Sequence, residues 1–337
     1  QPQCKQLALP ASMTEPGSDV AALVEEARAC TEKLERENAI ELYRRAVQIQ
    51  PSDPALLAEF GEAALQAGQV EDAKVALQRS IELSPDGTAS RYMYLGQLAE
   101  GEKALGWFQQ GIQRLRSERA ALEGAGGSKD DLRREWLAAT NALAAGLCAE
   151  AEIYLTDACD EDDAEMKCEA LATEALLLVS GIDKQTLPEP YQTMASLRLS
   201  QQRPEDAEAL LAKALSITES LEGSAQQPSL EMRTALSKLL MEVGMSAEAL
   251  DLLQELRLED DESLELWYLV VCAALQSGEL EIAQAELEQA LQFAQSDACP
   301  ADEREWLPQL MELQSDVDGA SRDQLADGEA DEMDSSR

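Results

Sequence analysis

A pattern of small and large apolar residues recurs along this chain with a period of about 34 residues. It is clearest in residues 54–87, PALLAEFGEAALQAGQVEDAKVALQRSIELSPDG, where Gly68 interrupts the helical spacing and Pro85 ends it. Small residues occupy the positions at which two helices would approach closely, namely Gly61, Ala64, Ala73 and Ser80. Larger side chains would fill the space between the helices, namely Leu57, Phe60 and Leu77. A fixed period of this length predicts stacked units that bury their apolar faces against their neighbours.

The same frame fits five segments of the chain, which are residues 20–53, 54–87, 188–221, 230–263 and 264–297. Two further segments depart from it. In residues 89–128 the second helical pattern arrives early, after Gly101, and residues 131–182 carry longer helical patterns joined by an acidic loop. An amphipathic stretch over residues 300–315 is expected to cap the last unit, because the end of a stack needs a polar outer face.

The two ends of the chain are expected to lie outside this stack. Residues 1–19 are predicted to form a flexible N-terminal segment. Residues 316–337 carry many acids and few large apolar side chains. They predict a disordered acidic tail, because such a segment cannot bury enough surface to offset its ordering entropy. The stack itself is therefore predicted over residues 20–315.

The spacing resembles the tetratricopeptide repeat, whose motif of about 34 residues folds as a helical hairpin. The resemblance implies an all-α fold. It would be a right-handed superhelical tetratricopeptide-repeat solenoid of about seven helical hairpins plus a C-terminal capping helix. The many Ala and Leu residues agree with this prediction, because both have high intrinsic helix propensity.

The charge of the chain restricts its partners. There are 66 Asp and Glu residues against 27 Lys and Arg residues, which gives a net charge of -39 at pH 7. A charge of this sign repels nucleic-acid phosphates and anionic membrane surfaces, and it attracts cationic partners. We therefore expect no direct nucleic-acid binding and no membrane binding. The alternative is that the charge only keeps the protein in solution, for which a net charge of about 2–8 would suffice.

The sequence offers little for catalysis or metal binding. It has no histidine, the commonest general base and metal ligand. Its seven cysteines include no C-x-x-C pair and predict reduced thiols in a cytosolic or nuclear protein. No secretory signal peptide and no apolar stretch of about 18 residues is visible. We expect a soluble protein of the cytoplasm and nucleus, with no enzymatic activity, no cofactor and no metal site.

In the tetratricopeptide family, the first helix of each hairpin lines an inner groove. That register predicts ten partner-binding residues in the groove of this chain: Glu32, Glu59, Glu62, Tyr94, Glu100, Glu189, Glu231, Glu242, Glu265 and Tyr268. Basic residues in the same positions are few, mainly Arg28 and Lys238. We therefore predict that the groove binds an extended or helical segment rich in Lys and Arg. The two tyrosines could add cation–π contacts.

Another use of the family is not expected here. Some tetratricopeptide co-chaperones hold the acidic C-termini of heat-shock chaperones through a clamp of Lys, Asn, Asn, Lys and Arg. The matching positions in this chain are Val24, Arg28, Glu59, Ser90 and Tyr94. Only Arg28 is cationic, and Glu59 would repel a ligand carboxylate. The first three repeats therefore do not predict such a clamp.

One longer stretch is similar to a particular family of these repeat proteins. Residues 168–216, CEALATEALLLVSGIDKQTLPEPYQTMASLRLSQQRPEDAEALLAKALS, place a long fourth unit before a regular fifth one. With the acidic array, the cap and the acidic tail, this resembles the fungal assembly chaperones dedicated to large-subunit ribosomal protein four. The resemblance implies a chaperone that captures this newly made basic protein, shields its basic internal loop and accompanies it into the nucleus. We expect a monomer.

Two other functions remain open from the sequence. One is a scaffold subunit of a stable multiprotein complex, which would bind through apolar convex patches. Such a scaffold would tolerate neutralisation of Glu59, Glu62 and Glu100. The other is an enzyme, but no nucleophile paired with a base is recognisable. Charge-neutralised variants separate the chaperone from the scaffold.

Overall fold

The structure of the protein is a computed structural model. It describes residues 16–33, 35–123, 129–182 and 187–335. Every regular element in these ranges is a helix. None of the helices there is both long enough and apolar enough to cross a membrane.

The described helices fall into two compact units, which divide between Asp162 and Asp163. The first unit contains α1 (Pro16–Glu32), α2 (Arg36–Ile49), α3 (Pro54–Gln66), α4 (Val70–Leu83), α5 (Ser90–Gln97), α6 (Gly101–Glu123) and α7 (Lys129–Leu155). The second unit contains α8 (Ala164–Ser180), α9 (Glu189–Ser200), α10 (Pro204–Ser220), α11 (Leu230–Glu242), α12 (Ser246–Glu259), α13 (Leu264–Ser277), α14 (Leu280–Ala294), a 3₁₀ turn (Glu303–Trp306) and α15 (Leu307–Ser335).

The all-α tetratricopeptide fold predicted from the sequence is confirmed. Consecutive helices pack as hairpins within each unit: α1 with α2, α3 with α4 and α5 with α6 in the first, and α9 with α10, α11 with α12 and α13 with α14 in the second. Neighbouring hairpins also pack on each other, as α2 does on α3 and α12 on α13. This is the arrangement in which each hairpin buries the apolar face that it could not bury alone.

Two glycines show how the sequence ends one helix and starts the next. Gly278 follows α13 with a φ of +83°, and its N–H bonds the carbonyl oxygens of Ala274 and Leu275. This left-handed conformation favours glycine, which has no Cβ. Gly101, at the early second helix of residues 89–128, has a φ of +52°, and its N–H donates to Asp157 Oδ2 at 3.0 Å. The shortened turn predicted at this point is therefore present.

The predicted fourth unit, residues 131–182, differs from the others. Its first helix, α7, packs on α6 in the first compact unit, whereas its second helix, α8, packs on α9 in the second. The acidic loop between α7 and α8 contains the boundary between the compact units. Repeat spacing predicts that these segments are helical, but it does not fix which neighbour each apolar face contacts.

The C-terminal cap is longer than the sequence suggested. Residues 316–337 were expected to form a disordered tail, but α15 continues to Ser335. Leu310, Leu313 and Val317 are buried and belong to the apolar core that includes α13 and α14. Their spacing of three and four residues defines one face of a helix, and Val317 extends that face beyond the predicted end of the cap.

Some of the sequence predictions concern residues outside the described ranges. Most of the predicted flexible N-terminal segment, residues 1–19, lies outside them, and α1 begins at Pro16. Cys4 and the last two residues of the predicted tail, 336 and 337, also lie outside the described residues.

Two leucines of α12 should differ in how much their replacement by alanine destabilises the second unit. Leu253 is 0% exposed and Leu258 is 76% exposed. Leu253→Ala should lower the free energy of unfolding by about 2–5 kcal/mol, because it removes buried methyl groups and leaves a cavity. Leu258→Ala should change it by less than about 0.5 kcal/mol. Urea unfolding followed by circular dichroism measures both, and equal shifts of the midpoint would contradict this orientation of α12.

Candidate protein-binding face

The ten predicted partner-binding residues lie on the first helices of the hairpins or close to their ends. In the first unit they belong to α1, α3, α5 and the turn before α6: Glu32, Glu59, Glu62, Tyr94 and Glu100. In the second unit they belong to α9, α11 and α13: Glu189, Glu231, Glu242, Glu265 and Tyr268. Their surroundings differ, so the ten positions are not equivalent.

The carboxylate of Glu59 is already bound by a cation of the same unit. Arg28 on α1 donates from Nη2 to Glu59 Oε1 at 2.7 Å and from Nε to Glu59 Oε2 at 3.0 Å. Its Nη1 donates to Glu25 Oε1 at 2.7 Å. These contacts, the hydrogen bond with Glu59 foremost, raise the pKa of Arg28 above its ordinary value. Glu59 is thus an internal ion-pair partner, whereas the sequence suggested an open contact.

Tyr43 on α2 reaches the same carboxylate. Its hydroxyl donates to Glu59 Oε2 at 3.3 Å, and the residue is 4% exposed. Burial, followed by the negative charge of Glu59, raises the pKa of Tyr43 to about 12. Glu59 therefore accepts hydrogen bonds from both helices of the first hairpin and joins that hairpin to α3.

Glu62 lies one turn further along α3 and interacts with Tyr94 on α5. Burial raises the pKa of Tyr94, and the charge of Glu62 and its hydrogen bond with the hydroxyl raise this pKa further. Both residues are half-buried, and Glu62 has no cationic partner among the residues that the structure describes. The pair places a carboxylate beside an aromatic ring, a combination that favours a guanidinium or ammonium group.

The predicted acids of the second unit are also unequal. Lys238 on α11 donates to Glu265 Oε1 on α13 at 2.6 Å, so Glu265 is paired internally. Glu231 and Glu242 are exposed on α11, and their side chains have no ion-pair partner within the described ranges. Glu189 is half-buried at the first position of α9.

Tyr268 is covered by the C-terminal cap. The centroid of its ring lies 5.5 Å from that of Trp306, with the ring planes at 40°. The pKa of Tyr268 is raised, first by Cys272 and then by burial, and the carboxylates of Glu312 and Asp316 on α15 raise it further. Tyr268 was expected to face an open groove. The cap was expected to cover the end of the stack, but it packs on α13 as well as on α14.

All the described cations on the first helices of the six hairpins have internal acceptors. These residues are Arg28, Arg91, Arg198, Arg233 and Lys238. Arg233, for example, donates to both carboxylate oxygens of Glu259, at 2.6 and 2.7 Å. By contrast, some carboxylates on or beside these helices have no counter-ion within the described residues, namely Glu32, Glu62, Glu100, Glu231 and Glu242. These helices therefore retain a negative potential in each unit after internal pairing.

The described residues contain no group of three or more Cys, Asp or Glu side chains that could hold a metal ion. Cys30, Cys159, Cys272 and Cys299 form no disulfide bond within these ranges.

The raised pKa of Tyr43 predicts a pH-dependent contribution to stability. At neutral pH, Tyr43→Phe should lower the free energy of unfolding by about 0.5–1.5 kcal/mol, because the hydrogen bond to Glu59 is lost. The folded pKa of about 12 exceeds the unfolded value of about 10. The stabilisation is therefore fully present below about pH 10 and is lost as the pH rises through about 12.

Urea unfolding of wild type and Tyr43→Phe at about pH 8 and about pH 11 tests this, because phenylalanine does not ionise. The difference in stability between the two proteins should shrink at the higher pH. A constant difference would contradict the raised pKa.

Sequence comparison identifies known relatives of the chain. The tetratricopeptide-repeat family matches residues 35–103. A curated relative from Emericella nidulans, named probable assembly chaperone of rpl4, is 32% identical over 268 residues, which cover 74% of this chain and 63% of the relative. A relative of the same name from Schizosaccharomyces pombe is 34% identical over 246 residues, which cover 71% of this chain and 68% of the relative. The chain thus spans slightly less than two thirds of the first relative and slightly more than two thirds of the second.

Solved structures give a consistent result. The structure of Acl4, an assembly chaperone of RpL4, matches with a TM-score of 0.67 at 30% identity, over 79% of this chain and 99% of that one. A tetratricopeptide repeat protein from Parabacteroides merdae matches with a TM-score of 0.50 at 14% identity, over 88% of this chain and 99% of that one. The second match supports the fold alone.

Proposed function

This chain belongs to the family of tetratricopeptide-repeat assembly chaperones of rpl4, and we propose that it is a dedicated chaperone of a newly made ribosomal protein. The names of its relatives designate rpl4, and we propose large-subunit ribosomal protein four as the client of this chain too. The observation that carries the proposal is the 34% identity to the Schizosaccharomyces pombe protein over 68% of that protein's length.

The proposed binding surface consists of the first helices of the hairpins. A basic segment of the client would meet Glu32, Glu62 and Glu100 in the first unit, and Glu231 and Glu242 in the second. Each exposed ion pair contributes about 0–1 kcal/mol, so several must form together. Tyr94 would add a cation–π contact of about 0.5–2 kcal/mol beside Glu62.

This kind of binding suits a temporary chaperone. A basic segment intended for ribosomal RNA carries many positive charges before it reaches the pre-ribosome, and carboxylates can take the place of phosphates during that time. We propose that this shields the segment from aggregation and degradation. Ribosomal RNA presents a denser negative charge, so it would compete for the segment and release it.

We also propose that the protein acts without catalysing a reaction and without direct contact with nucleic acid or membrane. It would work as a monomer that meets its client in the cytoplasm and accompanies it to the nucleus.

Neutralisation of open carboxylates tests the proposed surface. Combined replacement of Glu62, Glu231 and Glu242 by Gln should weaken binding of rpl4 about tenfold, which corresponds to about 1.4 kcal/mol shared among three contacts at the surface. Isothermal titration calorimetry gives the affinity, and the soluble fraction of co-expressed rpl4 reports the chaperone activity.

The matched control replaces three exposed glutamates of second helices by Gln: Glu37 on α2, Glu248 on α12 and Glu288 on α14. It removes the same charge and should leave the affinity within about twofold of wild type. An equal loss in both triple variants would show that only net charge matters. An unchanged affinity in the first variant would favour the scaffold function.

Salt dependence tests the electrostatic part of the proposal separately. Raising the ionic strength from about 0.1 M to about 1 M shortens the Debye length from about 10 Å to about 3 Å. The affinity for rpl4 should therefore fall steeply over this range when it is measured by calorimetry. An affinity independent of salt would rule out exposed ion pairs as its source.

A further inference from the structure

The cations of the ion pairs Arg28–Glu59 and Lys238–Glu265 occupy the same repeat position in the two units. Arg28 and Lys238 are each the ninth residue of their repeat. Each reaches from the first helix of one hairpin to the first helix of the next, from α1 to α3 and from α11 to α13. Both cations therefore lie on the helices of the proposed binding surface.

The Arg28 pair has the geometry in which a carboxylate recognises an arginine. Two nitrogens of one guanidinium meet the two oxygens of Glu59, and the hydroxyl of Tyr43 supports the same carboxylate. Such two-point pairing is the usual mode of arginine recognition. Arg28 thus occupies Glu59 in the way that an arginine of a basic client would.

Both pairs are open enough to exchange with another cation. The side chains of Arg28 and Lys238 are each 50% exposed, and those of Glu59 and Glu265 are 32% and 36% exposed. Pairs at this level of exposure contribute little net free energy, so a second cation at high local concentration can displace the first.

We propose that Arg28 and Lys238 are internal competitors of the client, because each occupies a carboxylate that an arginine or lysine of the client would otherwise bind. The inference rests on the proposed function and concerns its specificity. A short basic segment would bind only the open carboxylates. A long segment with many cations, once held by these, could also displace Arg28 or Lys238. The two residues would therefore lower the affinity for basic segments generally and favour highly charged ones.

A purely structural role for these pairs makes a different prediction, and Arg44 provides the control. Arg44 on α2 pairs with Asp72 on α4 at 2.9 Å, and its side chain is 39% exposed. It also bridges consecutive hairpins, but through their second helices. If inter-hairpin pairs only stabilise the stack, then Arg28→Gln and Arg44→Gln should have the same effect on client binding.

The experiment measures binding of a nona-arginine peptide and of rpl4 to the full chain by calorimetry at low salt. Arg28→Gln and Lys238→Gln should each bind the peptide about two- to fivefold more tightly than wild type, because one more carboxylate is open. Arg44→Gln should stay close to the wild-type affinity. Equal affinities of Arg28→Gln and Arg44→Gln would overturn the inference.

A double variant keeps the test valid if Arg28→Gln perturbs the stack. Arg28→Gln with Glu59→Gln removes the competitor and its carboxylate together, so its affinity should return to the wild-type value. A gain that persists in this double variant would overturn the inference. Circular dichroism and urea unfolding confirm that each variant is folded.

The Glu62→Gln variant separates the inference from the proposed function. If wild type binds neither probe, the proposed function fails and the inference fails with it. If Glu62→Gln does not weaken binding, the proposed binding surface fails and the inference fails with it. If Glu62→Gln weakens binding but Arg28→Gln and Lys238→Gln do not strengthen it, only the inference fails.

Discussion

Large apolar side chains packed onto small residues of the neighbouring helix hold the hairpins of the first compact unit together. Leu77 lies so close to Gly61 that a Cβ there would come within 2.7 Å of Leu77 Cγ. Phe108 lies equally close to Gly96. This close approach allows consecutive helices to bury their apolar faces against each other at the packing density of a protein interior. These two contacts each join the helices of one hairpin, and the hairpins bury their remaining apolar faces by packing on each other, as α2 does on α3.

An aliphatic core of this kind places most of the charged side chains on the surface. The cations are far fewer than the acids. The described cations on the first helices of the hairpins donate hydrogen bonds to acceptors within the protein. Even Trp267, the last residue of the acidic stretch LEDDESLELW, is buried, and its indole N–H donates to the carbonyl oxygen of Asp261 at 3.1 Å. Within that stretch, Glu259 and Glu265 are paired internally, whereas Asp261 and Glu262 are exposed in the turn. The fold therefore leaves part of its negative charge without an internal counter-ion.

The strength of such contacts matters for the proposed function, in which a client is bound and later released. Exposed ion pairs contribute little individually, and many of them together can bind tightly while remaining sensitive to competition. The internal pair of Arg28 and Glu59 is also weak individually, because it joins two hairpins without fully burying its charges. A groove built from deeply buried charges would require much stronger pairing to offset desolvation and would release a client less readily.

The sequence alone predicts those features that depend on residues close together in the chain or on counts over the whole chain. The spacing of apolar residues predicted the helices, the early spacing after Gly101 predicted the short turn there, and composition gave the sign of the charge. It also identified Arg28 and Lys238 as the rare cations among the groove positions. These properties follow from residues that are close in sequence or from counts over the whole chain.

Only the tertiary structure decided which of the predicted binding residues are open. Glu59 and Glu62 lie one turn apart on α3, yet Arg28 pairs with the first, whereas the second interacts with the hydroxyl of Tyr94. Tyr268 meets Trp306 of the cap, a residue distant in sequence. The packing of α7 on α6 and of α8 on α9 was equally undetermined by the repeat. Each of these outcomes depends on distances between faces of helices remote in sequence, which a repeating pattern of residue types does not specify.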